Sequence, residues 1–215
     1  MRYYVYVSDS KVDMLYSQMP RGIRDRIAAE LKIDLKVISV SVSGKRSEET
    51  RYSKLQLVTT FLEKNASIGS VHAPEAYFRG RLPMRWGPYG SEDSEMVYFG
   101  AVTSGTVVGL GGSMQHVIGA MGESVAPTGT PGLSSAPFYI TSVLRHELGL
   151  PPASVDDDEL GLEDTWNSNV LHATRRMRGP LQGLEFLARR LLFGRYHDTE
   201  IRVLLGTPIY VALAE

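Results

Sequence analysis

The sequence predicts an α+β fold: an N-terminal β-α-β-α part joined to an antiparallel β-meander, with C-terminal helices and closing strands. Three observations predict it. Apolar residues recur at helical spacing near residues 20–31 and 51–64. Short runs of β-branched and aromatic residues, punctuated by Gly and Pro, crowd residues 76–110. The closing residues 200–213 are again apolar and strand-like. A chain of 215 residues makes one large domain or two small ones. No long linker, repeat or low-complexity tract divides it, so a single domain over 1–215 is expected.

The elements follow in order. Residues 3–7, rich in aromatic and β-branched side chains, read as a strand. Ser8, Asp9 and Ser10 end it in a polar turn. Pro20 opens a helix to about Leu31, with Ile23, Ile27 and Leu31 four residues apart. Residues 35–42 alternate apolar and polar, as in a half-buried strand, and 44–49 form a polar loop. A second helix over 51–64 shows Leu55, Val58 and Leu62 on one face, with Asn65 placed to stop it. The meander then comprises strands near 76–78, 84–86, 95–102 and 106–110, with 102–106 as a hairpin connection. Residues 122–137 read as a surface loop that can serve as a lid. Helices are expected over 138–148, ended by Gly149 and Pro151, and over 165–177. Pro180 can open a further helix whose buried face is Leu181, Leu184, Leu187 (or Ala188) and Leu191. Strands at 200–205 and 209–213 close the chain around Gly206, Thr207 and Pro208.

Composition limits the function. The formal net charge of -1 argues against a general nucleic-acid binder, which carries a strong basic excess. With no cysteine, disulfides, thiolate metal sites and cysteine nucleophiles are excluded. The opening residues lack the apolar core and cleavage site of a signal peptide, and no window approaches the ~20 apolar residues of a membrane span. A cytoplasmic location, no membrane association and no cofactor are expected.

Three places can carry chemistry. The first is a glycine-rich strand-to-helix corner, GLGGSMQH, with Gly111, Gly112, Ser113 and His116. Bare backbone amides at such a turn can hold a phosphate or carboxylate. The text matches neither the nucleoside-triphosphate loop nor G-x-G-x-x-G, since Met114 stands where the last glycine would be. The plainer alternative is a tight corner capped by Ser113. The second is SDSKVDM, where Asp9, Lys11 and Asp13 follow the first strand, and two carboxylates with a lysine can bind a metal or tune a general base; its alternative is a solvated turn with an aspartate cap. The third groups Arg79, Arg81, Arg85 and Trp86, guanidiniums for an anion beside a stacking platform; its alternative is a charged outer strand face with Trp86 in the core. His146-Glu147 opens like the H-E-x-x-H zinc motif, but Leu150 holds the second histidine's place. Asp156 to Glu159 lacks the spaced oxygen ligands of a calcium loop. No G-x-S-x-G elbow is present. No metal site is expected.

The segments YYVYVSDSKVDMLYSQMP, MVYFGAVTSGTVVGLGGSMQHVIG and LLGTPIYVALAE resemble an uncharacterised bacterial family, a domain of unknown function from high-GC filamentous (actinobacterial-type) bacteria. The resemblance covers most of the chain. It implies a single cytoplasmic domain and a link to conflict or signalling gene clusters that include caspase-like proteases. It assigns no residue a role.

The leading functional expectation is a binding module, accessory or regulatory, that takes a small anionic ligand or a protein partner. Gly111, Gly112, Ser113, Lys11, Arg85 and Trp86 would supply the contacts. The second is a cofactor-independent enzyme with His116 as acid or base, Asp9 or Asp13 as its partner and Arg85 on an anionic substrate. The third is a structural protein that forms homo-oligomers through its apolar closing strands.

Overall fold

The computed structural model describes residues 2–35, 48–90, 96–119, 136–151, 162–197 and 199–214. All but the first residue of the expected strand at 35–42, most of the loop at 44–49, the lid at 122–137 up to residue 135 and the acidic run at 156–159 lie outside them. The fold is mixed α+β, as expected. Two compact units divide the chain: Met1–Val7 with Gly69–Glu215, and Ser8–Ile68.

The first unit is a barrel. Its strands are β1 (Tyr4–Val7), β2 (Ile68–Ser70, shared with the junction), β3 (Tyr77–Pro88), β4 (Met96–Val102), β5 (Thr106–Ser113), β6 (Gln182–Arg195) and β7 (Arg202–Leu213). β3, β4 and β5 run as the expected antiparallel meander. The turn between β4 and β5 uses Gly105 at φ +88°, with Thr103 N–H donating to the Thr106 carbonyl at 2.9 Å. β7 lies parallel to β5 and antiparallel to β6, and β6 returns to β3. The ring order β3-β4-β5-β7-β6-β3 is therefore closed. β3 makes closure possible by changing partner: Tyr77 to Met84 pair with β6, and Arg85 to Pro88 pair with β4. β1 extends the sheet on the far half of β7, from Tyr4 opposite Ala212 to Val7 opposite Tyr210.

Alternation sends one set of side chains inward. Phe78 and Met84, Val97 and Phe99, Val108 and Leu110, Leu184 and Phe186, and Leu204 fill the interior and are buried. Phe78 and Phe186 meet edge to face at 5.8 Å. Outward residues of β4, β5 and β7 (Met96, Tyr98, Val107, Val203, Leu205) pack beneath helices α4 (Pro137–Glu147) and α5 (Leu162–Arg176) through Ile140, Leu144, Val170 and Leu171. Gly149 at φ +71° follows α4, as its sequence predicts.

The second unit's described residues hold α1 (Asp9–Gln18), α2 (Arg21–Leu31) and α3 (Glu48–Asn65). α3 packs against both α1 and α2, burying Leu55, Leu57, Val58 and Leu62.

Four expectations are corrected. The polar turn after the first strand is the first turn of α1, because Val12, Leu15 and Met19 supply a buried stripe. Glu48 and Glu49 belong to α3, not to a loop. The helix after Pro180 is strand β6: Leu184, Phe186 and Ala188 turn inward at period two, and Leu181 is exposed. The paired short strands at 76–86 and at 200–213 are each one long strand. Gly80 and Pro83 sit inside β3, and Gly206 and Pro208 inside β7; close approach accommodates the two glycines, a register shift lies beside Pro208, and Pro83 pairs with Gly183 of β6.

Candidate functional site

The glycines of GLGGSMQH do not form a strand-to-helix corner. Gly109, Gly111 and Gly112 lie inside β5, all buried, and only a short 3₁₀ turn at Met114–His116 follows. Each bare Cα is covered by a large side chain. A Cβ on Gly109 would strike the Tyr98 ring, one on Gly112 the Tyr6 ring, and one on Gly111 would fall 2.8 Å from Ile140 Cδ1. Tyr98 lies down over Gly109, and its hydroxyl meets Thr174 Oγ1 at 2.9 Å. Burial pushes its phenol above the usual tyrosine pKa, so it stays protonated. The glycines thus make room for protein, which is the second of the two uses a missing Cβ allows. Ser113 Oγ accepts from Gln115 N–H at 3.4 Å, as a cap on the turn. His116 stands edge-on to Tyr6, with ring centres 5.8 Å apart.

Asp9, Lys11 and Asp13 belong to the helical unit, and His116 to the barrel unit. Asp9 takes both arms of Arg51, at 2.9 and 2.7 Å, and Asp13 accepts from Lys54 at 2.9 Å. The spacing explains the pattern: positions four apart on α1 meet positions three apart on α3. Lys54 and Arg24 also approach the Tyr16 ring at 5.6 and 5.1 Å. Lys11 donates instead to Ser8 Oγ at 3.2 Å, and burial pushes its ammonium down to about 8.

Arg85 and Trp86 part company. Trp86 stacks on Phe99 at 5.6 Å and donates its indole N–H to Gln182 at 2.6 Å, so its ring serves the barrel end. Arg85 points outward and donates Nε–H to the Gly179 carbonyl at 3.1 Å, just beyond α5. There Arg175, Arg176 and Arg178 follow one another through the helix end, all exposed. Arg176 donates to the Leu148 carbonyl at 3.4 Å, beyond α4. Nearby Tyr89 donates to the Ala173 carbonyl and is pushed up to about 12, by burial first and then by Glu147, with Arg176 pulling the other way. None of Arg85, Arg175, Arg176 and Arg178 is ion-paired to a carboxylate among the described residues. Cations suit a helix C-terminus. The carbonyl bonds of Arg85 and Arg176 each use one of the guanidinium's five donors. The sequence groups Arg85 with Arg79 and Arg81 on a strand, and sets Arg175 and Arg176 beside His172 on a helix; only the fold joins Arg85 to that helix end. The sequence signal of the helix end itself is R-R-x-R immediately before the Gly-Pro break.

Five-stranded Greek-key barrels of the OB type bind ligands on the face of their second and third strands. Here those strands are β4 and β5, and α4 and α5 cover their outer face. Among the described residues, no group of three or more His, Cys, Asp or Glu can hold a metal ion, and no helix is long and apolar enough to cross a membrane.

A family model described as "Family of unknown function (DUF7019)" matches residues 2–215. The chain belongs to that family. No curated protein and no solved structure matches the chain. DUF7019 membership covers both units and assigns neither an activity.

Proposed function

We propose that this DUF7019 chain is a binding module, accessory to a larger bacterial cytoplasmic system, whose barrel unit receives an acidic protein surface on Arg85, Arg175, Arg176 and Arg178. The observation that carries the reading is the gathering of four guanidiniums at one helix end with no ion-paired carboxylate among the described residues. Exposed arginines match carboxylates two bonds at a time, and arginine is enriched at protein interfaces. A small anion would need a concave site to bury it. These side chains stand on an open helix end, which favours an acidic surface over a free ion. The glycine corner, filled by Tyr6, Tyr98 and Ile140, lends no support to a ligand there.

The test is calorimetric titration of the full chain with a polyglutamate peptide and, separately, with tripolyphosphate. Polyglutamate should bind, weaken with added salt, and lose at least about tenfold in affinity with Arg176→Glu/Arg178→Glu, a loss of about 1.4 kcal/mol. Equal binding by parent and variant would overturn the assignment. Preference for tripolyphosphate would replace the protein partner with a phosphorylated ligand.

A further inference from the structure

Ser8, Ser10 and Lys11 form a hydroxyl–hydroxyl–amine line at the start of α1 that the binding reading does not use. Ser8 holds the N-cap position of α1, yet its side chain does not cap the helix. It turns to its neighbours. Lys11 Nζ lies 3.2 Å from Ser8 Oγ, and Ser8 Oγ lies 3.4 Å from Ser10 Oγ. Ser8 is wholly buried, Lys11 is half-buried and Ser10 is exposed, so the line runs from the amine through a buried hydroxyl to an exposed one. The S-x-x-K spacing brings this about, since one helical turn sets the amine beside the first hydroxyl.

Ion pairing makes the arrangement more specific. The carboxylates nearest Lys11 in sequence are both committed to α3, Asp9 to Arg51 and Asp13 to Lys54. Among the described residues Lys11 has no carboxylate partner. A buried ammonium without a counter-ion is costly, and the amine responds by releasing its proton more readily, near pH 8. Such an amine serves as a general base close to neutral pH, the role lysine takes in serine–lysine hydrolases.

We propose that Ser10, Ser8 and Lys11 form a nucleophilic relay for acyl transfer, with Ser10 Oγ as the attacking atom and an ester as the substrate class. Ser10 gives its proton to Ser8 Oγ as Ser8 gives its own to neutral Lys11 Nζ. A bond forms between Ser10 Oγ and the carbonyl carbon. The tetrahedral centre then collapses, its bond to the leaving alkoxide breaks, and the proton returns from Lys11 through Ser8 to that alkoxide. Water, deprotonated by the same route, attacks the Ser10 ester and releases the acid, restoring Ser10. The net change is ester plus water to acid plus alcohol. The positive end of α1, beside Ser10, favours the negative oxygen of the tetrahedral centre.

The test uses the full chain and a fluorophosphonate probe, which forms an O–P bond to an activated serine as its P–F bond breaks. Peptide mapping should place one adduct on Ser10. Its rate should rise about tenfold per pH unit up to about 8 and then level off. Lys11→Arg keeps a cation but gives no base; it should slow labelling at least about 100-fold with the melting temperature retained, and Ser8→Ala should do the same. Should Lys11→Arg fail to fold, Ser10→Ala, at an exposed hydroxyl, must still abolish the adduct in a folded chain. No adduct on the folded chain, an adduct elsewhere, or labelling as fast in Lys11→Arg would overturn the relay.

Discussion

The two units lean on positive charge to different degrees. Every lysine in the sequence (Lys11, Lys32, Lys36, Lys45, Lys54 and Lys64) falls within residues 8–68, and the barrel unit's cations are all arginine. In the helical unit, cations cross-link helices: Arg51 to Asp9, Lys54 to Asp13 and Lys64 to Glu30. In the barrel unit Arg2 pairs with Glu185 at 2.7 Å, but four other arginines reach backbone carbonyls: Arg85 to Gly179, Arg176 to Leu148, Arg190 to Pro74 and Arg202 to His72. A carboxylate neutralises a cation, whereas a carbonyl only positions it. The first unit spends charge on holding its helices, and the second holds itself by packing and keeps charge for display.

The largest effect that could break this contrast is in the barrel interior. Phe186→Ala should cost about 3–5 kcal/mol in urea denaturation, because the cavity opens against Phe78 and Val71. A loss under 1 kcal/mol would mean that packing is not what holds the barrel. Next comes Gly109→Ala, which sets a methyl into the Tyr98 ring and should cost about 1–3 kcal/mol. Gly87→Ala, where nothing lies within 4 Å, should stay within about 0.5 kcal/mol. Equal effects would show that the β5 glycines are not there for close approach.

These positions also show what the sequence makes legible. Helices α2 to α5 and strands β1, β4 and β5 could be read because periodicity and punctuation agree there. β6 could not, since LQGLEFLARRLL supports a helical stripe as well as strand alternation, and only pairing with β3 and β7 decides between them. α1 was hidden because Ser8, Asp9 and Ser10 are turn residues as readily as helix starters. Gly111 and Gly112 read as an opening for ligand because sequence does not reveal that Ile140 and Tyr6 arrive from far along the chain. Arg85 was found, but its gathering with Arg178 depends on a fold that brings β3 to the end of α5.

Smaller effects sharpen the helical side. Arg51→Ala should cost about 1 kcal/mol, and a double-mutant cycle with Asp9→Ala should show coupling that shrinks in high salt. Coupling unchanged at 1 M salt would point to packing by the Arg51 stem. Lys11 sets a pH dependence. Folding lowers it from 10.5 to about 8, so between those values the unfolded chain holds a proton that the folded chain has released. Stability should rise with pH through that window, and the penalty should be complete below about 8. Lys11→Met should flatten the rise and stabilise the protein at pH 7, as thermal melts from pH 7 to 10.5 can check. The smallest effect concerns the displayed charge: Arg178→Glu should leave stability within about 0.5 kcal/mol, and a larger loss would make that arginine a structural one.

Ring closure has a consequence for synthesis. β7 must slot between β5 and β6 and also accept β1, and of the seven strands it is the one a ribosome delivers after all the others. Until Leu213 has emerged, β5 and β6 each keep a side unmatched, and the earliest strand waits for the latest. A nascent chain stalled before residue 202 would therefore carry bare strand borders open to pairing with its neighbours. Holdase chaperones should be drawn to such a stalled intermediate rather than to the finished protein.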